Sequence, residues 1–130
     1  MPTCIPFPPE IREVYLDFDW DRRAVWALDI EVQVLERQRL EWHLDLPFWS
    51  SRASEMRFDL TPRMVMGNPS VAPRHALRIE QADMAFALDV MEHKGRLCIM
   101  DGLHRLAKGV MEGREEAAVR RIPRSAVQPI

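Results

Sequence analysis

Cysteine is scarce in this chain of 130 residues. Cys4 and Cys98 lie far apart and have no paired spacing, so the sequence indicates neither a disulfide framework nor a zinc site. No apolar run is long enough to span a bilayer, and the N-terminus lacks the charged start and apolar core of a signal peptide. We therefore expect a cytoplasmic protein without membrane attachment.

Lysine is almost absent, because only Lys94 and Lys108 among the 18 basic residues are lysines. Arginine suits the recognition of carboxylates and phosphates, although the codon usage of a GC-rich genome is an alternative explanation. The 20 acidic residues leave a net charge of −2. Without a global basic field, nonspecific nucleic-acid binding is not the expected main role, while a local patch for nucleic acid stays open.

Several catalytic motifs are also missing. The sequence has no Gly-x-Ser-x-Gly elbow and no Walker-type loop, and no His, Cys or carboxylate grouping has the spacing of metal ligands. His43 and His75 stand alone in the sequence. The aromatic residues Trp26, Trp42, Phe48 and Trp49 are expected to pack in the core or in an aromatic loop, and not to form a platform that stacks on bases. The common hydrolase and metalloenzyme signatures are therefore excluded.

The apolar pattern predicts an α+β domain, a small mixed β-sheet with packed helices. We expect residues 1–24 to form an extended, proline-rich arm and residues 25–130 to form the domain. The predicted elements are a half-buried strand over 25–34, a short helix over 35–44, a loop over 50–58, a helix from Pro62 capped by Thr61, a helix over 73–82, a hairpin of strands 85–92 and 96–100, a helix over 102–112 and a strand over 117–122.

The most informative segment is Asp101-Gly102-Leu103-His104-Arg105, which follows a buried strand and opens a helix. The first N–H groups of a helix lack partners within the helix, and its dipole places positive charge there. Such a turn therefore favours an anion. We predict that a phosphate rests on the N–H groups of residues 102–105, with His104 and Arg105 as side-chain donors.

Each residue of this segment also has a purely structural interpretation. Asp101 either caps the helix or holds a magnesium–nucleotide complex or a ribose. Gly102 either admits a ligand close to the backbone or makes a turn that only glycine tolerates. Leu103 belongs to the apolar stripe of the helix. His104 is a phosphate donor, an acid/base group or a surface residue, and Arg105 binds an anion or pairs with a carboxylate.

The stretch from Ile99 to Ala107 resembles the signature of the ParB/sulfiredoxin superfamily, whose members carry Gly-x-His-Arg or Gly-Glu-Arg-Arg between a strand and a helix. The resemblance spans residues 25–122, with its specific part at 97–107. It implies a ParB/sulfiredoxin-like fold that binds nucleotide phosphates. The ligand contacts it implies are Gly102, His104 and Arg105.

Two branches of this superfamily differ from the chain at the signature. Sulfiredoxins have a cysteine nucleophile before the His-Arg pair, and Leu103 stands at that position, so a sulfiredoxin reaction is not expected. ParB partition proteins carry two arginines and switch on CTP, whereas His104 replaces the first arginine here. Because 130 residues leave no room for their further domains, the site-specific DNA binding of such proteins is not expected either.

The free-serine kinases match the signature more closely. Their Asp-Gly-His-His-Arg differs from the stretch 101–105 only at Leu103. These enzymes also need a catalytic carboxylate from the early part of the domain. Glu31, Glu36 and Glu41 are the candidates here, and the sequence does not choose among them.

The sequence thus favours a stand-alone bacterial domain that binds a nucleotide or another phosphorylated small molecule. The expected ligand is a nucleoside di- or triphosphate with Mg²⁺, and any chemistry would be phosphoryl transfer or nucleotide hydrolysis. The base of such a reaction is not identified. The alternative is a non-catalytic regulatory or protein- or DNA-interaction module of a plasmid, phage or defence system. Both alternatives leave a homodimer open.

Overall fold

A computed structural model describes residues 7–51 and 58–130, and it confirms a small α+β fold. Its helices are α1 (Pro9–Arg12), α2 (Arg22–Trp26), α3 (Pro62–Gly67), α4 (Pro73–Gln81) and α5 (Leu103–Met111). Its strands are β1 (Val32–Glu36), β2 (Trp49–Ser50), β3 (Phe58–Leu60), β4 (Leu88–His93), β5 (Arg96–Asp101) and β6 (Glu116–Arg121). Short 3₁₀ turns lie at Arg37–Arg39, Glu41–Asp45, Pro69–Val71 and Arg124–Ala126.

The main sheet is mixed and has the strand order β1-β6-β4-β5. β1 pairs antiparallel with β6, β6 lies parallel to β4, and β4 pairs antiparallel with β5. β2 and β3 form a separate antiparallel pair. Strand β5 is therefore an edge strand, and its C-terminal end leads directly into the Asp101–Arg105 turn.

Alternate residues of a strand point to opposite faces of the sheet, and strand β5 has buried residues on both faces. Leu97 and Ile99 belong to a cluster with buried residues of α3, α4 and α5. Cys98 and Met100 belong to a second cluster with Ile11, Tyr15, Leu16 and Val25 of the N-terminal segment. The sheet therefore separates a helical layer from an N-terminal layer.

Local turn and cap signals place three elements where the sequence predicts them. Lys94 and Gly95 both have positive φ, 51° and 78°, which is the two-residue turn that suits a β-hairpin. Helix α3 begins at Pro62, and the side chain of Thr61 accepts a hydrogen bond from the N–H of Met64 at 3.1 Å. Helix α5 ends just before Gly113, whose φ is +76°.

The predicted strand over 25–34 is wrong in its position. Residues 22–26 form helix α2, which the side chain of Asp21 caps by accepting a hydrogen bond from the N–H of Arg23. The strand β1 begins only at Val32, and Val32 and Val34 are 54% and 61% exposed. The alternating pattern of these residues is that of a strand. Their side chains nevertheless face solvent, because no element among the described residues covers this part of the edge strand β1.

Two further expectations need correction. The predicted helix over 35–44 is replaced by two 3₁₀ turns, the second of which ends at Asp45, before Pro47. The described part of the expected arm, residues 7–24, contains α1 and the start of α2 and contributes Ile11 and Tyr15 to the core. The arm's first six residues, and Cys4 with them, lie outside the described residues, as does most of the predicted 50–58 loop.

Cys98 is buried, and burial raises the pKa of its thiol to about 11. Its Sγ lies 3.5 Å from the carbonyl of Val14. Among the described residues, no helix has the length and apolar character needed to cross a membrane.

A buried ion pair connects α2 to the sheet. The guanidinium of Arg120 on β6 donates to Oδ1 of Asp89 on β4 at 2.7 Å, and the Asp89 side chain is only 5% exposed. The same guanidinium donates to the carbonyls of Val25 and Leu28 at 2.9 and 2.7 Å. Arg120 therefore fixes the C-terminal end of α2 against the sheet.

Replacing Arg120 with methionine should lower the free energy of unfolding by about 3–5 kcal/mol, because the buried carboxylate of Asp89 loses its partner. Urea denaturation measures the loss. Arg121→Met is the matched control, since Arg121 lies 3.9 Å from the exposed Glu92 and should cost about 0–1 kcal/mol. Equal losses in the two variants would contradict the assigned role of Arg120.

Candidate functional site

Gly102 is the N-terminal capping residue of α5 and has φ +114°, a conformation that other residues rarely adopt. A Cβ at this position would collide with Cδ2 of Leu88 and lie 3.1 Å from Nη2 of Arg105. The turn therefore requires glycine for structural reasons. No side chain caps the helix, and the N–H groups of residues 103–105 have no partner within residues 7–51 and 58–130.

Asp101 does not cap α5, so the capping interpretation is wrong. Its Oδ2 instead accepts a hydrogen bond from Nε1 of Trp26 at 2.9 Å and lies 3.5 Å from Nη2 of Arg105. Trp26 is 55% exposed, so the expectation of a core position for it is wrong as well. Asp101 therefore joins α2 to the start of α5.

Arg105 does not line the cavity of about 400 Å³ that lies beside Gly102 and His104. Its Nη1 donates to the carbonyl of Ala87 at 2.9 Å, and its Nη2 faces Asp101. It lines a shallower depression of about 340 Å³, which also touches Gly102 and His104. An anion bound by Arg105 would therefore lie in this depression. That Arg105 binds an anion stays a prediction.

The larger cavity, of about 400 Å³, lies between the N-terminal segment, β2, α4 and the start of α5. Within residues 7–51 and 58–130 its lining has one acidic residue, Asp101, together with basic, aromatic and smaller residues from distant parts of the chain. These are Arg22, Arg74 and Arg78, the rings of Phe7, Tyr15, His43, Phe48, Trp49, Phe58, His75 and His104, and the smaller or aliphatic Ser50, Ile99, Met100, Gly102 and Leu103.

The three arginines make the cavity strongly cationic. Within residues 7–51 and 58–130, none of Arg22, Arg74 and Arg78 forms an ion pair. Partial burial and then the positive charges of Arg74 and Arg22 lower the pKa of Arg78. Among the described lining residues only Asp101 is acidic, and it already contacts Arg105 and Trp26, so this described lining carries uncompensated positive charge.

One wall of the cavity is fixed by two side chains, His43 and Tyr15, that bind the backbone of the same residue, Ile99. His43 accepts a hydrogen bond at Nε2 from the N–H of Ile99 at 2.9 Å, and the hydroxyl of Tyr15 donates to the carbonyl of Ile99. Nδ1 of His43 donates to the carbonyl of Leu40 at 2.7 Å. These bonds satisfy the outer edge of β5, which would otherwise be open to pairing with another strand.

Burial sets the protonation of these two groups. It lowers the pKa of His43 to about 3, so the ring is neutral at physiological pH. It also raises the pKa of Tyr15 well above its usual range, so the phenol keeps its proton. The two side chains that bind the backbone of Ile99, His43 and Tyr15, are therefore both uncharged.

His75 and His104 form the other notable part of the wall. Nδ1 of His75 lies 3.0 Å from Nε2 of His104, and the two rings are coplanar to within 11°. The indole of Trp49 stacks on both, with ring centroids at 4.6 Å and 4.3 Å. Burial, followed by the charges of Arg78, His75 and Arg74, lowers the pKa of His104 to about 3.

The cavity does not include the other predicted candidates. Glu31, Glu36 and Glu41 are not among its lining residues, and Glu41 pairs with Arg37 at 2.8 Å. Within the part of the chain that the structure describes, no group of three His, Cys, Asp or Glu side chains could hold a metal ion. Leu103 packs partly against the helical core, as expected, and also borders the cavity.

Most of the residues that line the cavity have no local signal in the sequence. His75 appeared isolated, yet it pairs with His104, which is 29 positions away. Arg22 belongs to the segment that was expected to be an arm. Only Arg74 and Arg78 carried a usable signal, because arginines four positions apart share a helix face and no acidic residue lies three or four positions from either.

In comparisons with known proteins, no protein-family model, no curated protein and no solved structure matches the chain.

The protonation of the site predicts how stability depends on pH. The folded-state pKa of His43 and of His104 lies near 3, below the ordinary value of 6.5, and that of His75 is also lowered. The unfolded chain therefore binds more protons between these values. The neutral forms of these three histidines therefore contribute fully to the stability of the fold above about pH 6.5. This contribution is lost as the pH falls toward 3.

Urea unfolding from pH 7 to pH 4 should show this loss of stability. His104→Gln should lower the slope of unfolding free energy against pH by about one proton, since each such histidine takes up one proton on unfolding. His43 and His75 remain in the variant and preserve the rest of the slope. Identical slopes for the variant and the wild type would contradict the assigned protonation of His104.

Proposed function

We propose that the cavity binds the phosphoryl group of a phosphorylated ligand, a nucleotide or a related phosphate ester. The observation that carries this proposal is the convergence of Arg22, Arg74 and Arg78, none of them ion-paired among the described residues, around a cavity with one carboxylate. Guanidinium groups match the geometry and charge of phosphate oxygens and bind them in a bidentate way.

The start of α5 supports the same ligand. Gly102, Leu103 and His104 line the cavity, and the free N–H groups of residues 103–105 lie at the positive end of the helix. Since no side chain caps this end, an anion has no competitor for these N–H groups. Of the phosphate contacts expected from the sequence, Gly102 and His104 line the same cavity as the three arginines, whereas Arg105 does not.

The aromatic part of the wall supports an organic group attached to the phosphate. Phe7, Tyr15 and Phe48 contact one another edge to face with ring centroids 5.0–6.1 Å apart, and Phe58 contacts Phe7 at 4.8 Å. The volume of about 400 Å³ falls within the range of small-molecule sites. A nucleobase or another planar ring would find apolar and aromatic surface there.

The described residues do not fit a protein-held Mg²⁺ ion. Magnesium in phosphate sites is usually held by one or two carboxylates together with the phosphates. The one carboxylate here, Asp101, already accepts a hydrogen bond from Trp26 and faces Arg105. In our proposal the arginines neutralise the ligand's charge, and no step depends on a metal ion.

The chemistry that suits such a site is transfer or hydrolysis of the bound phosphoryl group. This reaction is promoted mainly by positioning and by positive charge on the phosphoryl oxygens. Two neighbouring arginines on α4 and a third on α2 would supply that charge from two sides. Hydrolysis or transfer therefore remains the class of reaction that we propose.

Isothermal titration calorimetry with ADP and with inorganic pyrophosphate, each with and without Mg²⁺, tests the proposal. Wild type should bind both ligands without added metal. Arg78→Gln should weaken binding about tenfold or more, because a charge-assisted hydrogen bond contributes about 1.5–3 kcal/mol. Arg63→Gln is the matched control: Arg63 is exposed, pairs with Asp45 at 2.7 Å and does not line the cavity.

Three results would contradict the proposal: no binding of either ligand, equal loss in the Arg78 and Arg63 variants, or binding only when Mg²⁺ is present. The first result would favour the alternative of a protein- or DNA-interaction module.

A further inference from the structure

The His75–His104 pair belongs to a hydrogen-bond chain that ends on a backbone carbonyl. Nε2 of His75 lies 3.0 Å from the carbonyl oxygen of Ser50, and Nδ1 of His75 lies 3.0 Å from Nε2 of His104. Nη2 of Arg74 lies 3.5 Å from the same Nε2 of His75. Since both of these nitrogens carry hydrogens, this last approach is a contact and not a hydrogen bond.

The carbonyl fixes the tautomers of both rings. A carbonyl oxygen only accepts, so Nε2 of His75 carries the hydrogen. Nδ1 of this neutral ring then has a lone pair and accepts from Nε2–H of His104. His104 is neutral as well, so its Nδ1 keeps a lone pair.

This lone pair is open to a ligand. No hydrogen bond within the described residues reaches Nδ1 of His104, and His104 has no further interaction beyond those described. Among the described residues, the buried side-chain atoms without a partner are Trp42 Nε1 and His93 Nε2, and Nδ1 of His104 is not one of them. Nδ1 of His104 is therefore accessible, in a residue that lines the proposed phosphate cavity.

The surroundings hold His104 in one orientation. Trp49 stacks on its ring at an interplanar angle of 12°, and the hydrogen bond to His75 fixes the direction of its nitrogens. A base that is oriented by a second group, which is oriented in turn by a third, is the arrangement that activates nucleophiles in many enzymes. Here the order is His104, His75 and the carbonyl of Ser50.

Ligand binding would also make His104 a stronger base. Arg78 and Arg74 are two of the charges that disfavour protonation of His104, and the others facing it are Arg22 on α2 and Asp101 on β5. A bound phosphate offsets the arginine charges, which removes part of their effect on the imidazole. By linkage, a proton on His104 then favours the anion to the same extent.

We propose that His104 is the general base of the site and that His75 is its positioning residue, an inference that rests on the proposed function. The oxygen of a water molecule forms the new bond to phosphorus while the bond from phosphorus to the leaving oxygen breaks. The leaving oxygen takes the electron pair of that bond. The proton of the water passes to Nδ1 of His104, which later releases it to the leaving oxygen or to solvent.

Phosphate release from inorganic pyrophosphate, followed at several pH values, tests this proposal. Wild type should release phosphate, and His104→Gln should slow release about a hundredfold or more, the usual contribution of a general base. Calorimetry with methylenediphosphonate, whose bridging carbon resists hydrolysis, should give similar affinity for this variant and the wild type.

His75 needs a separate comparison because its role is indirect. His75→Leu should slow release and shift the pH profile, since Nε2–H of His104 loses its acceptor. His75→Asn should restore part of the rate, because the asparagine carbonyl can accept that hydrogen bond. Arg63→Gln is again the unaffected control.

The outcomes separate the two proposals. Binding of methylenediphosphonate without phosphate release by the wild type, or with undiminished release by His104→Gln, would overturn the role of His104 and leave the binding proposal standing. Equal rates for the Leu and Asn variants of His75 would overturn its positioning role. Failure of the wild type to bind methylenediphosphonate would overturn the proposed function itself, and the base with it.

Discussion

The rest of the structure depends on how the backbone N–H and carbonyl of Ile99 are bound. Ile99 lies on the outer edge of the sheet, so its N–H and carbonyl groups have no neighbouring strand. His43 and Tyr15 bind these two groups and bring the 3₁₀ segment and the N-terminal segment against β5. Two residues later the chain enters the Asp101–Arg105 turn. The same bonds that close the edge therefore create a cavity beside the start of α5.

The composition of this cavity suits the binding of an anion. Arg22, Arg74 and Arg78 lack an ion pair among the described residues, and all three are exposed to solvent, which screens their mutual repulsion. The partly buried His104 beside them is held neutral. The arginines therefore remain available to a phosphate, and such a ligand would meet little opposing negative charge from the described lining.

The elements that the sequence predicts well are those specified by adjacent residues. Lys94-Gly95 selects a hairpin turn, Thr61-Pro62 starts α3, and Gly102 makes the turn that opens α5. The misplaced strand over 25–34 shows the limit of this approach. Its alternating pattern suited a half-buried strand, but a local cap at Asp21 turns its first residues into a helix.

The candidate site was only partly predictable because its parts are distant in the chain. The turn at 101–105 was visible as a motif, and the structure places Gly102, Leu103 and His104 at the cavity. Arg22, Trp49 and His75 have no local pattern that connects them to this turn, since only tertiary packing brings them there. The role of Arg105 differs for a related reason, because its neighbour Asp101 and the carbonyl of Ala87 hold it outside the cavity.

The most direct test of the anion cavity is an NMR titration of the ¹⁵N-labelled protein with inorganic pyrophosphate. The largest shifts should fall on the backbone amides of Leu103 and His104 and on the side-chain Nε–H groups of Arg22, Arg74 and Arg78. The Nε–H of Arg63 should stay unchanged. Shifts confined to other surfaces, or none at all, would contradict anion binding in this cavity.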